Sequence, residues 1–139
     1  MIVELVSVGT ELLLGNIVNT NTQYLAEQCA LLGLSLYHQS VVGDNHDRLA
    51  EVVKTALGRS DVVILTGGLG PTEDDLTKEV CAEVMGYKLV EDPHTREHLE
   101  QFFKNNIYKE IPDNNWKQAM VPEGALVLDN HNGMAPGLI

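Results

Sequence analysis

Apolar runs alternate with helix-spaced apolar positions over the first two thirds of the chain. Runs rich in β-branched residues, typical of buried strands, lie at residues 2–8, 34–42 and 62–65. Apolar positions at helical spacing follow at residues 21–32, 49–57 and 76–85, and a glycine comes directly after each segment. This order predicts an α/β fold with three layers, an open, mostly parallel sheet with helices on both faces.

The last third of the chain is less regular. A helix is predicted at residues 93–103, a short one at 113–119 and a strand at 125–128. Leu138 and Ile139 resemble the beginning of a further strand, which we expect to pair into the sheet. No linker divides the chain, so residues 1–139 are predicted to be one domain, truncated at its C-terminal end and part of a longer protein.

Composition excludes several classes of partner. The formal net charge is -11 with nine lysines and arginines, which argues against nucleic acid because phosphate backbones are bound through basic clusters. No apolar stretch approaches the roughly 18 residues that cross a bilayer, and the N-terminus lacks signal-peptide features. The two cysteines lie in apolar helical patterns typical of reduced, buried thiols. We predict a cytoplasmic protein that contacts neither membrane nor nucleic acid.

Polar residues follow all three predicted strands. Thr10 and Glu11 come after the first strand, Asp44 after the second, and the segment Thr66–Asp75 after the third. Open parallel sheets bind ligands at the carboxyl ends of their strands. The sequence therefore predicts one composite site made from these three strand ends.

The turn Thr66-Gly67-Gly68-Leu69-Gly70 is unusually rich in glycine, and Thr72 adds a second hydroxyl. It is neither a Walker A loop nor a dinucleotide fingerprint. Glycines between a strand and a helix let backbone N–H groups approach a phosphate or pyrophosphate. A plain structural turn is the alternative.

Three consecutive carboxylates, Glu73, Asp74 and Asp75, end this turn. Negative charge at the start of the next helix explains at least one of them. The others are candidate metal ligands or a general base, and hard oxygen ligands favour Mg²⁺ over Zn²⁺. Asp44 is either the N-cap of the following helix or an acid that faces Asp75 across the site. The predicted metal ligands are thus Asp44, Asp74 and Asp75.

Other polar and apolar features carry less chemistry. The run Leu12–Leu14 lies in an expected loop and either covers the core or contacts another subunit, which favours a homo-oligomer. Asn19 and Asn21 are ordinary turn or cap residues. His94 and His98 are four residues apart on one helical face, where a solvated surface is favoured over a metal site.

Five ordered segments resemble a known family. They are GTELLLG at 9–15, NTN at 19–21, VGD at 42–44, TGGLGPTEDD at 66–75 and NGMAPG at 132–137. Together they resemble the N-terminal domain of the competence/damage-inducible CinA family, which is similar to the molybdopterin-binding domain of molybdenum-cofactor enzymes. The resemblance covers the whole chain and implies the three-layer molybdopterin-binding fold. Full-length members usually add a C-terminal nicotinamide-nucleotide amidase domain, which is outside this sequence.

The resemblance also assigns residues. Asp75 matches the catalytic acid that ends the glycine motif of the cofactor enzymes, Asp44 matches the acid at the neighbouring strand end, and Thr66–Gly70 match the phosphate-contacting turn. The last motif places further ligand contacts at the following positions: Asn132, Gly133, Pro136 and Gly137. Leu69 stands where the cofactor enzymes usually have Thr, and Glu73-Asp74 where they have a more basic or polar pair. These departures disfavour molybdopterin adenylylation.

Three functional hypotheses follow. The CinA branch is associated with metal-dependent ADP-ribose pyrophosphatase activity, which makes hydrolysis of a nucleotide-sugar pyrophosphate with Mg²⁺ or a transition metal the first. Binding of molybdopterin, or adenylyl transfer to it, is the second. The third is a non-catalytic module for binding and oligomerisation that supports an amidase domain. The expected partners are a small-molecule nucleotide or pterin and a second copy of the chain.

Overall fold

The computed structural model describes residues 1–105 and 111–139. These residues form two compact units, Met1–Gly68 and Leu69–Ile139.

The first unit is built on a parallel sheet of three strands in the order β2-β1-β3. Its elements, in chain order, are β1 Ile2–Val8, α1 Thr10–Leu13, α2 Thr20–Leu31, β2 Ser35–Val42, α3 His46–Leu57 and β3 Val62–Thr66. Val8 pairs with Val42, and Ser7 with Thr66. The three strands therefore end at one edge of the sheet, as the alternating pattern predicted.

Helices cover both faces of this sheet. Alternate β1 residues point to opposite faces, so each face has side chains that a helix can cover. Val3 and Leu5 pack with Cys29 of α2 in one buried cluster. On the other face, the carboxylate of Glu4 opens onto a cavity lined also by Val52 and Thr55 of α3. The predicted α/β class is confirmed.

The second unit contains two antiparallel strand pairs and two longer helices. Its elements are α4 Thr77–Met85, β4 Leu89–Glu91, α5 Pro93–Asn105, a 3₁₀ helix Asp113–Ala119, β5 Met120–Pro122, β6 Val127–Leu128 and β7 Gly137–Leu138. Strand β4 pairs with β5, and β6 with β7. The predicted helices at 93–103 and 113–119 are confirmed. The last strand exists, but it pairs with β6 and does not join the parallel sheet.

One expectation for the first unit was wrong, and one of the two alternatives for Asp44 is ruled out. The segment around Leu12 forms the one-turn helix α1 and is not a loop, because the backbone N–H groups of Leu13 and Leu14 bond back to Gly9 and Thr10. The N-cap of α3 is Asn45, whose side chain accepts a hydrogen bond from Arg48 N, so Asp44 is not a cap.

Among the described residues, no helix has both the length and the apolar character needed to cross a membrane.

Candidate functional site

Thr10 and Asp44 lie together at the ends of β1 and β2. The backbone N–H and hydroxyl of Thr10 donate to Asp44 Oδ2 at 2.9 and 2.8 Å. Asp44 N donates in return to Thr10 Oγ1 at 3.2 Å. Gly43 allows this approach, since a Cβ there would lie 3.2 Å from Thr10 Oγ1. The two residues were predicted from separate segments, and the fold brings them into direct contact.

Glu11 follows at the same strand end. Its carboxylate lies against Gly9, where an added Cβ would be 2.6 Å from Glu11 Oε1. The Glu11 side chain is exposed, as is that of Thr10. Both remain available to solvent at the edge where the sequence predicts a ligand.

The glycine at position 67 is required for steric reasons. Its φ is +91°, and a Cβ there would lie 2.0 Å from the carbonyl oxygen of Val8. Gly68 also has a left-handed backbone, with φ +64°. Close packing against β1 therefore accounts for Gly67 without a ligand, which supports part of the plain-turn alternative.

Ser7 joins the strand ends through a network that the sequence reading missed. It is buried, with its hydroxyl 2.8 Å from Thr22 Oγ1 and accepting from Asn19 Nδ2 at 2.9 Å. The predicted ligand residue Thr66 donates its hydroxyl to Ser7 Oγ at 3.4 Å. The available signal was a lone serine in the otherwise apolar end of β1. Asn19 also caps α2, as predicted.

In the second unit, Asp75 is held by its own turn. The backbone N–H and hydroxyl of Thr72 donate to Asp75 Oδ2 at 2.9 and 2.6 Å. A Cβ on Gly70 would lie 2.5 Å from the same oxygen, so only glycine permits this contact without a shift. Glu73 and Asp74 are exposed on the turn.

The Asp75 carboxyl is ionised at neutral pH. Burial alone raises its pKa, but hydrogen bonds from the Thr72 hydroxyl, the Thr72 N–H and the Gly70 N–H, together with the charge of Lys117, lower the pKa below its ordinary value. A carboxylate with a lowered pKa is a weak proton acceptor and a good ligand for a cation.

Two lysines that the sequence reading missed lie at this turn. Lys117 Nζ donates to the carbonyl oxygens of Thr72, at 2.8 Å, and of Asp75. Lys78 is nearly buried, and its Nζ donates to the carbonyl oxygen of Lys117 at 2.5 Å. Lys78 occupies a helix position beside apolar residues, which is a weak signal. For Lys117, which lies 45 residues from Thr72, the sequence offers none.

The last predicted motif forms a loop organised by Asn130. Asn130 Nδ2 donates to the carbonyl oxygen of Ala135 at 2.9 Å, and Asn130 Oδ1 accepts from Asn132 N at 3.0 Å. Gly133 lies against the same amide. Pro136 is buried, and Gly137 begins β7. Three of the predicted ligand residues, Asn132, Gly133 and Pro136, therefore lie in one loop that leads into Gly137, and Asn130 itself was not predicted.

His94 is exposed and pairs with Asp129 through Nε2, 2.8 Å from Oδ1. Within residues 1–105 and 111–139, no cluster of three or more His, Cys, Asp or Glu side chains is placed to hold a metal ion. The preference for a solvated histidine face stays a prediction, and the exposed His94 has a carboxylate partner in Asp129.

This chain is similar to a known protein family and to curated proteins. Residues 4–139 match the family model described as "Probable molybdopterin binding domain". A protein of Symbiobacterium thermophilum described as competence-damage inducible is 57% identical over 139 residues, all of this chain and 32% of that protein. The chain spans about a third of the length of the curated relatives it matches.

This chain is also similar to solved structures. The crystal structure of the CinA protein of Thermoplasma acidophilum superposes with a TM-score of 0.91 at 31% identity, covering 99% of this chain and 80% of that one. The molybdopterin biosynthesis enzyme MoaB of Thermus thermophilus gives a TM-score of 0.57 at 17% identity, over 87% of this chain and 78% of that one. The second likeness shows a shared fold only.

Proposed function

Because the chain belongs to the CinA family of molybdopterin-binding-type domains, we propose that it hydrolyses a nucleotide-sugar pyrophosphate such as ADP-ribose with a divalent metal. Water adds across the pyrophosphate and yields AMP and ribose 5-phosphate. Asp75 is the principal residue of the proposal, with Asp44 as the second acid predicted from its own strand end.

The Thr72–Asp75 turn is the observation that carries the proposal. It holds one ionised carboxylate in a fixed orientation, with two further acids exposed beside it. Capping a helix needs a single side-chain acceptor, so three acids exceed that need. Carboxylates repel a nearby phosphate unless a cation lies between them, so we propose that these acids share a cation with the phosphate.

The donor set suits a hard cation. Mg²⁺ is commonly held by one or two carboxylates together with substrate phosphates, which does not require a preformed cluster of three protein ligands. Asp74 and Asp75 would hold such an ion jointly with the pyrophosphate. When bound, the ion would polarise the phosphoryl group and neutralise the leaving-group charge.

The remaining residues have binding tasks in this proposal. Backbone N–H groups of the turn from Thr66 to Leu69 are the proposed phosphate donors, because the Gly70 N–H and the Thr72 hydroxyl already donate to Asp75. At the end of the first strand, Thr10 and Glu11 stay proposed ligand contacts. Because the pKa of Asp75 is lowered by the hydrogen bonds of Thr72, Asp75 is proposed to hold the cation and not to accept the proton of water.

Substitution of Asp75 tests the proposal. We expect Asp75→Asn to lower kcat/KM for ADP-ribose in the presence of Mg²⁺ by at least about 10²-fold, the size typical of removing one strong electrostatic contact in an active site. The fold should survive, because the amide oxygen can still accept from Thr72. The measurement is product formation by the protein with and without divalent metals.

Glu123→Gln, at an exposed acid of the same unit, is the matched control and should retain activity. If Asp75→Asn keeps its full metal-dependent activity, Asp75 does not have the proposed role. If the unsubstituted protein cleaves no nucleotide pyrophosphate in a panel with several metals, the hydrolase proposal fails.

Binding of a pterin nucleotide is the second candidate. The family description, molybdopterin binding, favours it, and Leu69 with Glu73-Asp74 count against adenylyl transfer. Titration with molybdopterin decides: saturable binding that Asp75→Asn weakens supports this candidate, and the absence of binding removes it.

A further inference from the structure

The turn that carries Asp75 encloses a positive charge from a distant part of the second unit. Lys117 lies on the 3₁₀ helix, and its Nζ donates to the carbonyl oxygens of Thr72 and Asp75. Glu79 Oε1 is 3.9 Å from the same nitrogen. Two backbone carbonyls and one carboxylate therefore surround one ammonium group.

These oxygens resemble the ligands of a bound monovalent cation. Residues 70–76 form no helix or strand, so the carbonyls of Thr72 and Asp75 are not part of a strand or helix ladder. The carbonyl oxygen of Thr72 also accepts from Asp75 N at 3.3 Å, and a lysine ammonium, with three donors, can bond to this oxygen and to that of Asp75 together. Its charge also offsets the repulsion among the three carboxylates that follow Thr72.

Lys78 fixes the place of Lys117. The Lys78 ammonium is nearly buried and donates to the backbone carbonyl oxygen of Lys117. Glu79 Oε1 lies 3.8 Å from Lys78 Nζ, so one carboxylate is shared between both ammonium groups. Burial lowers the pKa of Lys78, and its ion pair with Glu79 opposes that effect. The first turn of α4 thus anchors the 3₁₀ helix, which in turn supplies Lys117 to the Asp75 turn.

We propose that Lys117 is a positioning residue for Asp75. Its ammonium group lies among these oxygens as a bound monovalent cation would, and it holds the Thr72–Asp75 turn closed. The inference rests on the proposed function for the catalytic task of Asp75, but the contact itself can be tested without activity. Lys117 acts through Asp75 and through the turn, and it is given no contact with the substrate.

The test removes the ammonium and then returns it from solution. With ADP-ribose and Mg²⁺, Lys117→Ala should lower kcat on the order of 10²-fold, as expected for a displaced catalytic group, while KM changes little. Propylammonium chloride, which matches the deleted atoms, should restore much of the lost kcat, and sodium chloride at the same concentration should not. Lys117→Arg should retain more activity than Lys117→Met.

Lys88→Ala is the matched control, since Lys88 is an exposed lysine of the same unit. It should keep the kcat of the unsubstituted protein and should not respond to propylammonium. A folded Lys117→Ala protein with unchanged kcat overturns the proposal. So does a loss of kcat that neither propylammonium nor Lys117→Arg restores.

A second readout separates this inference from the hydrolase proposal. The amide resonances of Thr72 and Asp75 in ¹⁵N-labelled protein should shift in Lys117→Ala and return with propylammonium. If the unsubstituted protein hydrolyses no nucleotide sugar but these resonances behave as expected, the hydrolase proposal fails and the role of Lys117 stands. If the resonances do not move, the role of Lys117 is wrong. Should Lys117→Ala not fold, Lys117→Met and Lys117→Arg carry the same comparison.

Discussion

Asp44 and Asp75 are held in the same way although they belong to different units. In each, one carboxylate oxygen accepts both the N–H and the hydroxyl of a threonine, Thr10 for Asp44 and Thr72 for Asp75. Asp92 has this pattern too, with Thr95, but there it caps α5. The motif by itself is therefore structural. The pKa of Asp92 is lowered as well, so what distinguishes Asp75 is the pair of exposed acids, Glu73 and Asp74, directly before it and the Lys117 ammonium at its turn. What distinguishes Asp44 is a partner 34 residues away.

Glu4 is an ionised residue within the core of the first unit. Its carboxylate is fully buried and accepts from Arg59 Nε and a terminal guanidinium nitrogen at 2.8 and 2.7 Å, and from Ser60 at 3.2 Å. The Arg59 hydrogen bond is the main reason that the pKa of Glu4 lies below 4.5. The cavity beside it, about 140 Å³, is lined also by Glu51 and Thr55.

Acid should weaken the first unit through Glu4. Because the folded pKa is lowered, the pair stabilises the protein fully above pH 4.5 and less as the pH falls through the folded pKa. Glu4→Gln should lower the free energy of unfolding at pH 7 by about 1–3 kcal/mol, the range for hydrogen bonds to charged groups. It should also reduce the loss of stability on acidification below pH 4.5.

Urea denaturation checks this prediction. Circular dichroism is the readout in place of tryptophan fluorescence, because the single tryptophan, Trp116, is in the second unit. Glu51→Gln, at an exposed residue that lines the same cavity, is the control and should change stability by less than about 0.5 kcal/mol. The same acid dependence in Glu4→Gln and in the unsubstituted protein would contradict the assignment.

The two longer helices of the first unit begin at asparagines. Asn19 caps α2 and Asn45 caps α3, each accepting from the backbone N–H three residues ahead at 3.1 Å. Asn19 also donates to Ser7, so one side chain both begins a helix and joins the strand-end network. Because Asn45 supplies the cap of α3, the neighbouring Asp44 is left to accept hydrogen bonds from Thr10.

Removal of the α3 cap gives an element-scale prediction. Asn45→Ala should lower the free energy of unfolding by about 1 kcal/mol, because the Arg48 N–H loses its acceptor. Asn45→Asp keeps an acceptor and should remain within about 0.5 kcal/mol of the unsubstituted protein. Chemical denaturation measures both variants, and equal stability of the two would show that the cap contributes nothing.

Elements differ in how well their pattern predicts them. The strands and helices with strong periodicity were found within a few residues, as α3 and α5 illustrate. Strands β4 and β5 were missed, because three residues carry no periodicity and their formation depends on pairing with each other over about thirty residues of chain. The helix α1 was missed because a single turn has too few positions to show a helical spacing.

Apolar side chains stay exposed near the end of α1 and beyond it. Leu13, Leu14, Ile17 and Val18 are exposed by 52, 68, 54 and 79%. Neighbouring apolar residues of this exposure often mark a protein interface. The predicted homo-oligomer remains a prediction, and the sequence favours the run Leu12–Leu14 for it.

Self-association tests that prediction at the scale of the molecule. The unsubstituted chain should sediment as an oligomer at high concentration, and the double substitution Leu13→Ser, Leu14→Ser should shift it toward monomer. Leu31→Ser, Leu32→Ser, at a more exposed pair on the end of α2, is the control and should leave the distribution unchanged. A strict monomer for the unsubstituted chain would remove the prediction.

Local patterns determined much of this protein. Periodicity and glycine stops predicted the α/β class and most elements, and the motifs at the strand ends identified the family to which the chain belongs. Such signals are readable because they depend on residues only a few positions apart. Tertiary structure decided the Ser7 network, the Asn130 loop and the lysines at the Asp75 turn. The contact from Lys117 to Thr72 spans 45 residues, and its energy depends on a distance that only the folded chain sets.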